Sequence, residues 1–200
     1  MKLYTTQGAP NPQRLDFFLA EKEIVIDREE VTLMERAHDA EDFRKLSPFG
    51  LVPVLILDNG QSITEVEAIC RYFDEVVPQP NLLGSNPEEK ALIGMWSRLT
   101  ELQLLNPIAQ TFRHSHPKMN VLQEQIEAYA DLSRRNAMKS LDLFERHMQG
   151  REFVVADRFT LADINMFVAL RMMKLARMEL SSWVTLHAWF ASQRERHCFA

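Results

Sequence analysis

Cysteine is nearly absent from this chain. Cys70 and Cys198 are the only two in 200 residues, far apart and outside any CxxC or metal-ligand spacing, so neither a disulfide framework nor a zinc site has support. Cys70 stands in a helical stretch and reads as a small buried hydrophobe. Charge of one sign is also scarce: Lys+Arg 23 against Asp+Glu 28 leaves a net charge of −5 with no long block of either sign, which excludes nucleic acid as a main partner. No apolar run approaches the about 18 residues of a membrane span, so no membrane partner is expected. Met1-Lys2-Leu3-Tyr4 enters an apolar strand without a signal-peptide pattern, which makes the cytoplasm the expected location. Glycine (6) and proline (9) are too few for a fibrous or low-complexity chain, and 46% apolar with 26% charged residues is an ordinary globular composition. A chain of this size buries roughly 70% of its unfolded surface, enough for a real core.

The organisation changes near residue 78. Before it, short β-like runs (Lys2 to Thr5, Ile24 to Glu29, Val54 to Leu57, Ser62-Ile63) alternate with helical stretches over 13–22, 40–46 and 65–76, and Asp58-Asn59-Gly60 supplies a hairpin turn. This is a βαβ unit followed by ββα. The segment Val77-Pro78-Gln79-Pro80-Asn81-Leu82-Leu83-Gly84 has the proline spacing of a stiff connector. Beyond it the spacing predicts helices over about 87–113, 121–148, 160–177 and 182–195, with apolar stripes at Leu92, Met95, Trp96, Leu99, Leu102 and Leu105 and at Leu161, Ile164, Val168, Met172 and Leu175. The division expected is an α/β domain over 1–77, a linker over 78–86 and an all-α domain over 87–200.

Two helix starts carry the same signature. Thr64-Glu65-Val66-Glu67 and Thr160-Leu161-Ala162-Asp163 each place a hydroxyl at the N-cap and a carboxylate three residues on, the pattern of a capping box. Phe159 and Ile164 add a hydrophobic staple to the second, which reads as a folding element rather than a chemical one. The first offers more. A helix N-terminus presents unpaired N–H groups and about half a positive charge, which suits a carboxylate, and Glu65 beside it suits an ammonium group. Twelve residues earlier, Pro53 follows Val52 where a cis peptide would turn the Val52 carbonyl and amide outward to an extended ligand backbone. An ordinary capped helix beside an ordinary strand is the alternative reading of the same spacing.

From Met1 to about residue 195 the chain resembles a cytosolic glutathione S-transferase of the bacterial/fungal theta-like or yeast type. MKLYTTQGAPNPQRLDFFLAEKEI resembles the family's first strand and helix, LSPFGLVPVLILDNGQSITEVEAICRYF its glutathione-binding core, and FTLADINMF the helix-start motif of its C-terminal domain. The resemblance implies a thioredoxin-like α/β N-terminal domain, an all-α C-terminal domain and a homodimer with two active sites. It implies glutathione as co-substrate, no permanently bound cofactor, no metal, and a small hydrophobic electrophile as second substrate. Matched residue by residue, it sets the backbone at Val52-Pro53 against the cysteinyl part of glutathione, Glu65 and Val66 against the γ-glutamyl head, and His38 towards the glycyl end.

Two departures bear on the chemistry. Many members carry serine at the place of Val66, and the valine offers only its N–H; a hydrogen bond to a charged group is worth roughly 1.5–3 kcal/mol. The loop Gln7-Gly8-Ala9-Pro10-Asn11-Pro12, where the family keeps a thiol-activating hydroxyl or thiol, holds no Ser, Cys or Tyr, and Tyr4 within the strand is expected to point into the core. A free thiol titrates near ~8.5, and lowering this by two units needs about 2.7 kcal/mol of extra stabilisation for the anion. The sources expected are backbone N–H groups at the start of the first helix, from Pro10 to Gln13, with Asn11 or Thr6 as side-chain donor. Asn106, Gln110 and Arg113 share a helix face, from which Arg113 would set a positive charge over the thiolate; a solvated face is the plain alternative. His114 and His116 cannot share a face and form no metal pair. Phe112 and Met119 are the candidates for the electrophile pocket that the family builds between its domains. Two other functions stay open: a non-catalytic relative that keeps the fold for a protein partner, and a glutathione-dependent thiol-disulfide reductase, which lacks the loop cysteine it would need.

Overall fold

The structure, a computed structural model, describes residues 1–199 and divides after Pro80 into two compact units. In the first, strands β1 (Lys2–Thr5), β2 (Asp27–Glu30), β3 (Val54–Ile56) and β4 (Ser62–Thr64) form one sheet in the order β2-β1-β3-β4. The β1–β2 pair is parallel, and β1–β3 and β3–β4 are antiparallel. Helices α1 (Pro10–Glu21), α2 (Glu41–Leu46) and α3 (Val66–Val76) connect and cover it. Opposed residues Tyr4 and Val54 share a face, where they meet Phe43 of α2, Val31 and Val52; the Tyr4 and Phe43 rings lie 6.2 Å apart. Because side chains alternate along a strand, Leu3 and Leu55 take the other face, and both are fully buried like Leu15 and Phe18 of α1 and Ile69 of α3. At the hairpin, Gly60 takes φ 84 and its N–H bonds the Leu57 carbonyl at 2.9 Å. The exposed β2 starts at Asp27, three residues later than its apolar lead-in predicts, because register with β1 and not hydropathy places it.

One buried ion pair ties the unit together. Lys22, just past α1, puts its ammonium 2.7 Å from Asp74 of α3 and donates to the carbonyls of Val77 and Pro80, both at 2.7 Å. All three directions of the ammonium are satisfied, which is what makes its complete burial tolerable.

The second unit is helical: α4 (Pro87–Leu99), a π-helical stretch Thr100–Leu105, α5 (Asn106–Ser115), α6 (Glu127–His147), α7 (Leu161–Met173) and α8 (Val184–Gln193). The predicted helix 87–113 is continuous but widens before Pro107, which has no N–H for an i−4 bond; the Asn106 N–H instead reaches Glu101. Helix α6 starts later than predicted because Pro117–Val121 form a 3₁₀ turn first. Helix α7 is buried at every residue but Arg171, and Asn165 donates from its centre to the Ser97 carbonyl at 3.2 Å. The predicted apolar stripe from Leu92 to Leu105 does not face inward along its length: Leu105 is buried, but most of the row is not. Leu92, Met95, Leu99 and Leu102 are 42%, 46%, 38% and 44% exposed, while Ile93, Ser97, Thr100 and Leu104 face the core. Leu175 is likewise exposed, since α7 ends before it.

The start of α7 carries the expected box. Asp163 accepts from the N–H and hydroxyl of Thr160 at 2.8 and 2.9 Å and from the Val154 N–H at 2.8 Å. Burial nevertheless pushes its carboxyl up to about 7, against these donors. An unfolded aspartate titrates near ~3.9, so between the two values the folded chain holds a proton that the unfolded chain has lost, and stability from this group falls as pH rises through that window. Urea unfolding at about pH 5 and about pH 8 should therefore show the wild type losing stability with pH more steeply than Asp163→Asn, which is the less stable protein at both. Equal slopes would show that Asp163 titrates normally.

Candidate functional site

Val54↔Thr64 is the last pair of the β3–β4 ladder, so the Val52–Pro53 step that leads into β3 and the Glu65–Val66 step that leads out of β4 lie at the same end of the hairpin. The sheet thus delivers the Val52–Pro53 peptide, which is cis, to the N-terminus of α3. Neither the N–H nor the C=O of Val52 makes a hydrogen bond among the described residues.

The start of α3 differs from the predicted capping box. Thr64 is the last residue of β4, and the N-cap is Glu65, at φ 68 and ψ 124, with no side-chain bond to the helix. A non-glycine residue in that region is held there at a cost, and such residues gather at ligand sites. The first bond of α3 is Ile69 N–H to Glu65 C=O at 3.0 Å, so the N–H groups of Val66, Glu67 and Ala68 have no partner among the described residues. Three orphan donors with the positive helix end behind them thus stand beside an exposed carboxylate at Glu65, the pair of opposite charges that the spacing predicts at this helix start.

At the α1 end the donors narrow to one residue. Pro10 and Pro12 have no N–H, and the Gln13 N–H is spent on the Ala9 carbonyl at 3.1 Å, which removes most of the predicted backbone donors. Asn11 remains. Its Oδ1 accepts from Nη1 of Arg14 at 3.1 Å; since a guanidinium only donates, the oxygen must face Arg14 and the amide NH2 points away. Its backbone N–H is also without a partner among the described residues. Thr6 is already engaged: its hydroxyl donates to Glu30 Oε1 at 2.7 Å and the Gln7 N–H joins the same oxygen at 3.2 Å. The role of Arg14, only 1% exposed, was readable only as an Asn–Arg pair at i,i+3, and that of Glu30 only from the β1–β2 register.

His38 sits in a tight turn after Arg36 (φ 60). Its Nδ1 is buried with no hydrogen-bond partner and its Nε2 is 3.9 Å from Asp39. Arg44 bonds Asp39 at 2.8 Å and, with Arg36, holds that carboxyl below the usual carboxylate range. Gly50 closes the turn from the other side, and sequence reasoning missed it.

In the second unit, Gln110 donates to Asn106 at 3.3 Å and Arg113, exposed in the last turn of α5, follows on the predicted face. Phe112 lies against the His116 ring at 4.9 Å, and Met119 follows in the 3₁₀ turn. His114 and His116 serve the chain ends: their Nδ1 atoms accept from the N–H groups of Ile126 and Lys118 at 3.1 and 3.3 Å. Among the described residues no group of three or more potential ligands is placed to hold a metal ion, and no helix is long and apolar enough to cross a membrane.

The chain is similar to known proteins along its whole length. Residues 9–76 match the profile "Glutathione S-transferase, N-terminal domain" and residues 103–196 the profile "Glutathione S-transferase, C-terminal domain". Glutathione S-transferase 2 of Saccharomyces cerevisiae is 29% identical over 204 residues, covering 98% of this chain and 86% of the yeast protein. Glutathione S-transferase GST-4.5 of Xanthomonas campestris is 32% identical over 167 residues, 80% of this chain and 78% of the relative. Among solved structures, a glutathione S-transferase domain-containing protein of Marinobacter aquaeolei superposes with a TM-score of 0.94 at 31% identity over the whole of both chains. Gtt2 of S. cerevisiae superposes with a TM-score of 0.94 at 29% identity over 100% of this chain and 98% of its own. The chain belongs to the glutathione S-transferase family, with that family's thioredoxin-like and helical domains.

A Cβ at Gly50 would lie 2.8 Å from the His38 carbonyl oxygen and 2.8 Å from the Arg44 guanidinium carbon, on a backbone at φ 64. Gly50→Ala should cost about 1–3 kcal/mol in urea unfolding, since the backbone contact cannot yield as a side chain can. An unchanged midpoint would show that the turn is soft.

Proposed function

We propose that this chain is a catalytic glutathione S-transferase that binds glutathione in extended form on its N-terminal unit and joins the thiolate to a small apolar electrophile. The observation that carries the reading is the uncapped N-terminus of α3 at the same hairpin end as the unpaired backbone of Val52. In this reading Val66 N–H and its neighbours hold the γ-glutamyl carboxylate, Glu65 the ammonium group, Val52 the cysteinyl backbone, and His38 the glycyl end. The position of Pro53 supplies the cis bend on which Val52 is presented.

The thiolate is stabilised by Asn11, which offers its backbone N–H and the amide NH2 that Arg14 turns outward. Arg113 adds a cationic field. The thiol proton passes to solvent; the sulfur lone pair forms the new C–S bond as the electrophile's leaving group departs with its bonding pair, or as the pair moves onto an activated double bond. Phe112 and Met119 supply apolar surface for the electrophile. Against a reductase, both cysteines are buried and burial pushes the Cys70 thiol well above its ordinary range, so neither stands ready to form a mixed disulfide. Two reduced, buried thiols and a thiol substrate fit the cytoplasm.

Calorimetric titration should give saturable glutathione binding that Glu65→Ala weakens by about tenfold or more. Asn11→Ala should leave affinity nearly intact but raise the pH at which the bound thiol ionises by about one unit and lower kcat towards a chlorodinitrobenzene acceptor at neutral pH. No heat with several millimolar glutathione would remove the transferase reading. Binding without turnover would favour the non-catalytic relative.

The exposed row Leu92, Met95, Leu99 and Leu102 lies along one side of α4 and its π-helical continuation and supports a homodimer sealed by this face. Sedimentation equilibrium should find a dimer for the wild type and a folded monomer for Met95→Glu/Leu99→Glu. A wild-type monomer, or a dimer indifferent to the double substitution, would contradict this assembly.

A further inference from the structure

The turn Asp58-Asn59-Gly60 closes the end of the β3–β4 hairpin opposite the candidate site, and nothing proposed for glutathione uses it. Asn59 is one of eight asparagines and the only one followed by glycine. That neighbour governs one reaction. An asparagine amide is lost as ammonia when the backbone nitrogen of the next residue attacks its Cγ, and a side chain on that next residue obstructs the approach. Asn11, Asn86 and Asn106 precede proline, whose nitrogen has no proton to give up. Asn136 and Asn165 lie inside α6 and α7, where the helix holds the following backbone. Asn81 spends its side chain on Gly84 and Arg158, and Asn120 precedes the β-branched Val121.

At Asn59 the local geometry favours the attack. Asn59 and Gly60 are both exposed, and a Cβ at Gly60 would meet no atom within 4 Å. The Oδ1 of Asn59 accepts the Gln61 N–H at 3.0 Å. This bond folds the side chain back over the Asn59–Gly60 peptide, which turns Cγ towards the attacking nitrogen. It also sets a donor on the oxygen that becomes negative in the tetrahedral intermediate. One contact opposes the step: the Gly60 N–H donates to the Leu57 carbonyl at 2.9 Å. An exposed turn held in this way opens locally at little cost, so the contact slows the reaction without preventing it.

We infer that Asn59 is a site of spontaneous covalent modification, passing through a cyclic imide with Gly60 to aspartyl and isoaspartyl forms. The Gly60 nitrogen gives its proton to solvent base and bonds to Cγ; the Cγ–Nδ2 bond breaks, and ammonia leaves with a proton taken from solvent. Water then opens the ring. Attack at Cγ leaves an aspartate in the ordinary chain, and attack at the main-chain carbonyl routes the chain through the side chain and lengthens the turn by one CH2. Either product adds a negative charge beside Asp58. The longer turn also strains the pairing nearest to it, Leu57 N–H to Gln61 C=O and Ile56 opposite Ser62, because the turn sets the register of a hairpin. None of this depends on whether the chain binds glutathione.

Ageing the full chain in heavy-oxygen water at neutral pH tests it. Trypsin then releases Leu46–Arg71, in which Asn59 is the only asparagine, and the same fragment aged by itself gives the rate without a fold. Heavy oxygen should enter residue 59 of the folded chain at least about tenfold faster than any other asparagine, and within about tenfold of the isolated fragment. Part of the labelled fragment should accept a methyl group from isoaspartyl carboxyl methyltransferase, and labelling should quicken as pH rises. Gly60→Asp, an acid that tolerates a left-handed turn, should slow labelling by about tenfold or more. The isoaspartyl chain, separated by ion exchange on its added charge, should unfold at lower urea than the fresh chain. No label at residue 59 of the folded chain while the fragment converts fully, label entering another asparagine first, or Gly60→Asp labelling as fast as the wild type would each overturn the inference. An isoaspartyl chain with an unchanged urea midpoint would overturn the effect on the hairpin.

Discussion

Helix α3 starts on Glu65, a residue turned into positive φ whose side chain bonds none of the helix's first amides, and the proposed site is arranged around that unfinished end. Leaving several N–H groups unpaired is unfavourable unless water or a ligand completes them. Here the β3–β4 hairpin fixes where they stand: Val54 pairs Thr64, so the chain has no freedom to slide Thr64 into the cap. The same register brings the unpaired Val52 peptide alongside. One constraint of sheet geometry therefore places both the open helix end and the unpaired backbone on which the proposed function rests, and Glu65 sets a negative charge next to a positive one, the pattern a zwitterionic head would need.

The contrast with α7 is instructive because the sequence signature is the same. Thr160 and Asp163 complete their box and are buried with it, at the cost of a carboxyl pushed up to about 7. Thr64 and Glu67 share the spacing but not the outcome, since Thr64 is committed to a β-ladder. A local pattern states what a helix start can do, and tertiary pairing decides whether it does. The structural start is closed, and the start facing a ligand is left open.

Much of the architecture was legible in the order and period of the elements: the βαβ and ββα halves, the connector near Pro80 and the run of helices beyond it. Misreadings came where burial depends on partners far away in sequence. The Leu92–Leu102 row has helical spacing, yet Ile93, Ser97, Thr100 and Leu104 face inward, so the more apolar stripe is the outer one. In the candidate site, the hairpin that sets Val52 and the Glu65–Val66 step at one end was legible from the Asp58-Asn59-Gly60 turn between two strands. The donor at the first helix was not legible as a single residue, because it takes the bonds of Thr6 to Glu30 and of Gln13 to Ala9 to remove the alternatives.

The central claim is that the open end of α3 and the Val52 peptide grip one extended tripeptide. Amide proton–nitrogen NMR spectra recorded during a glutathione titration test it most directly. The account predicts that the resonances of Val52 and Val66 move together and saturate at one glutathione per chain, with their protons shifting as hydrogen bonds form. Shifts confined to other parts of the chain, with Val52 and Val66 unmoved at saturation, would contradict it.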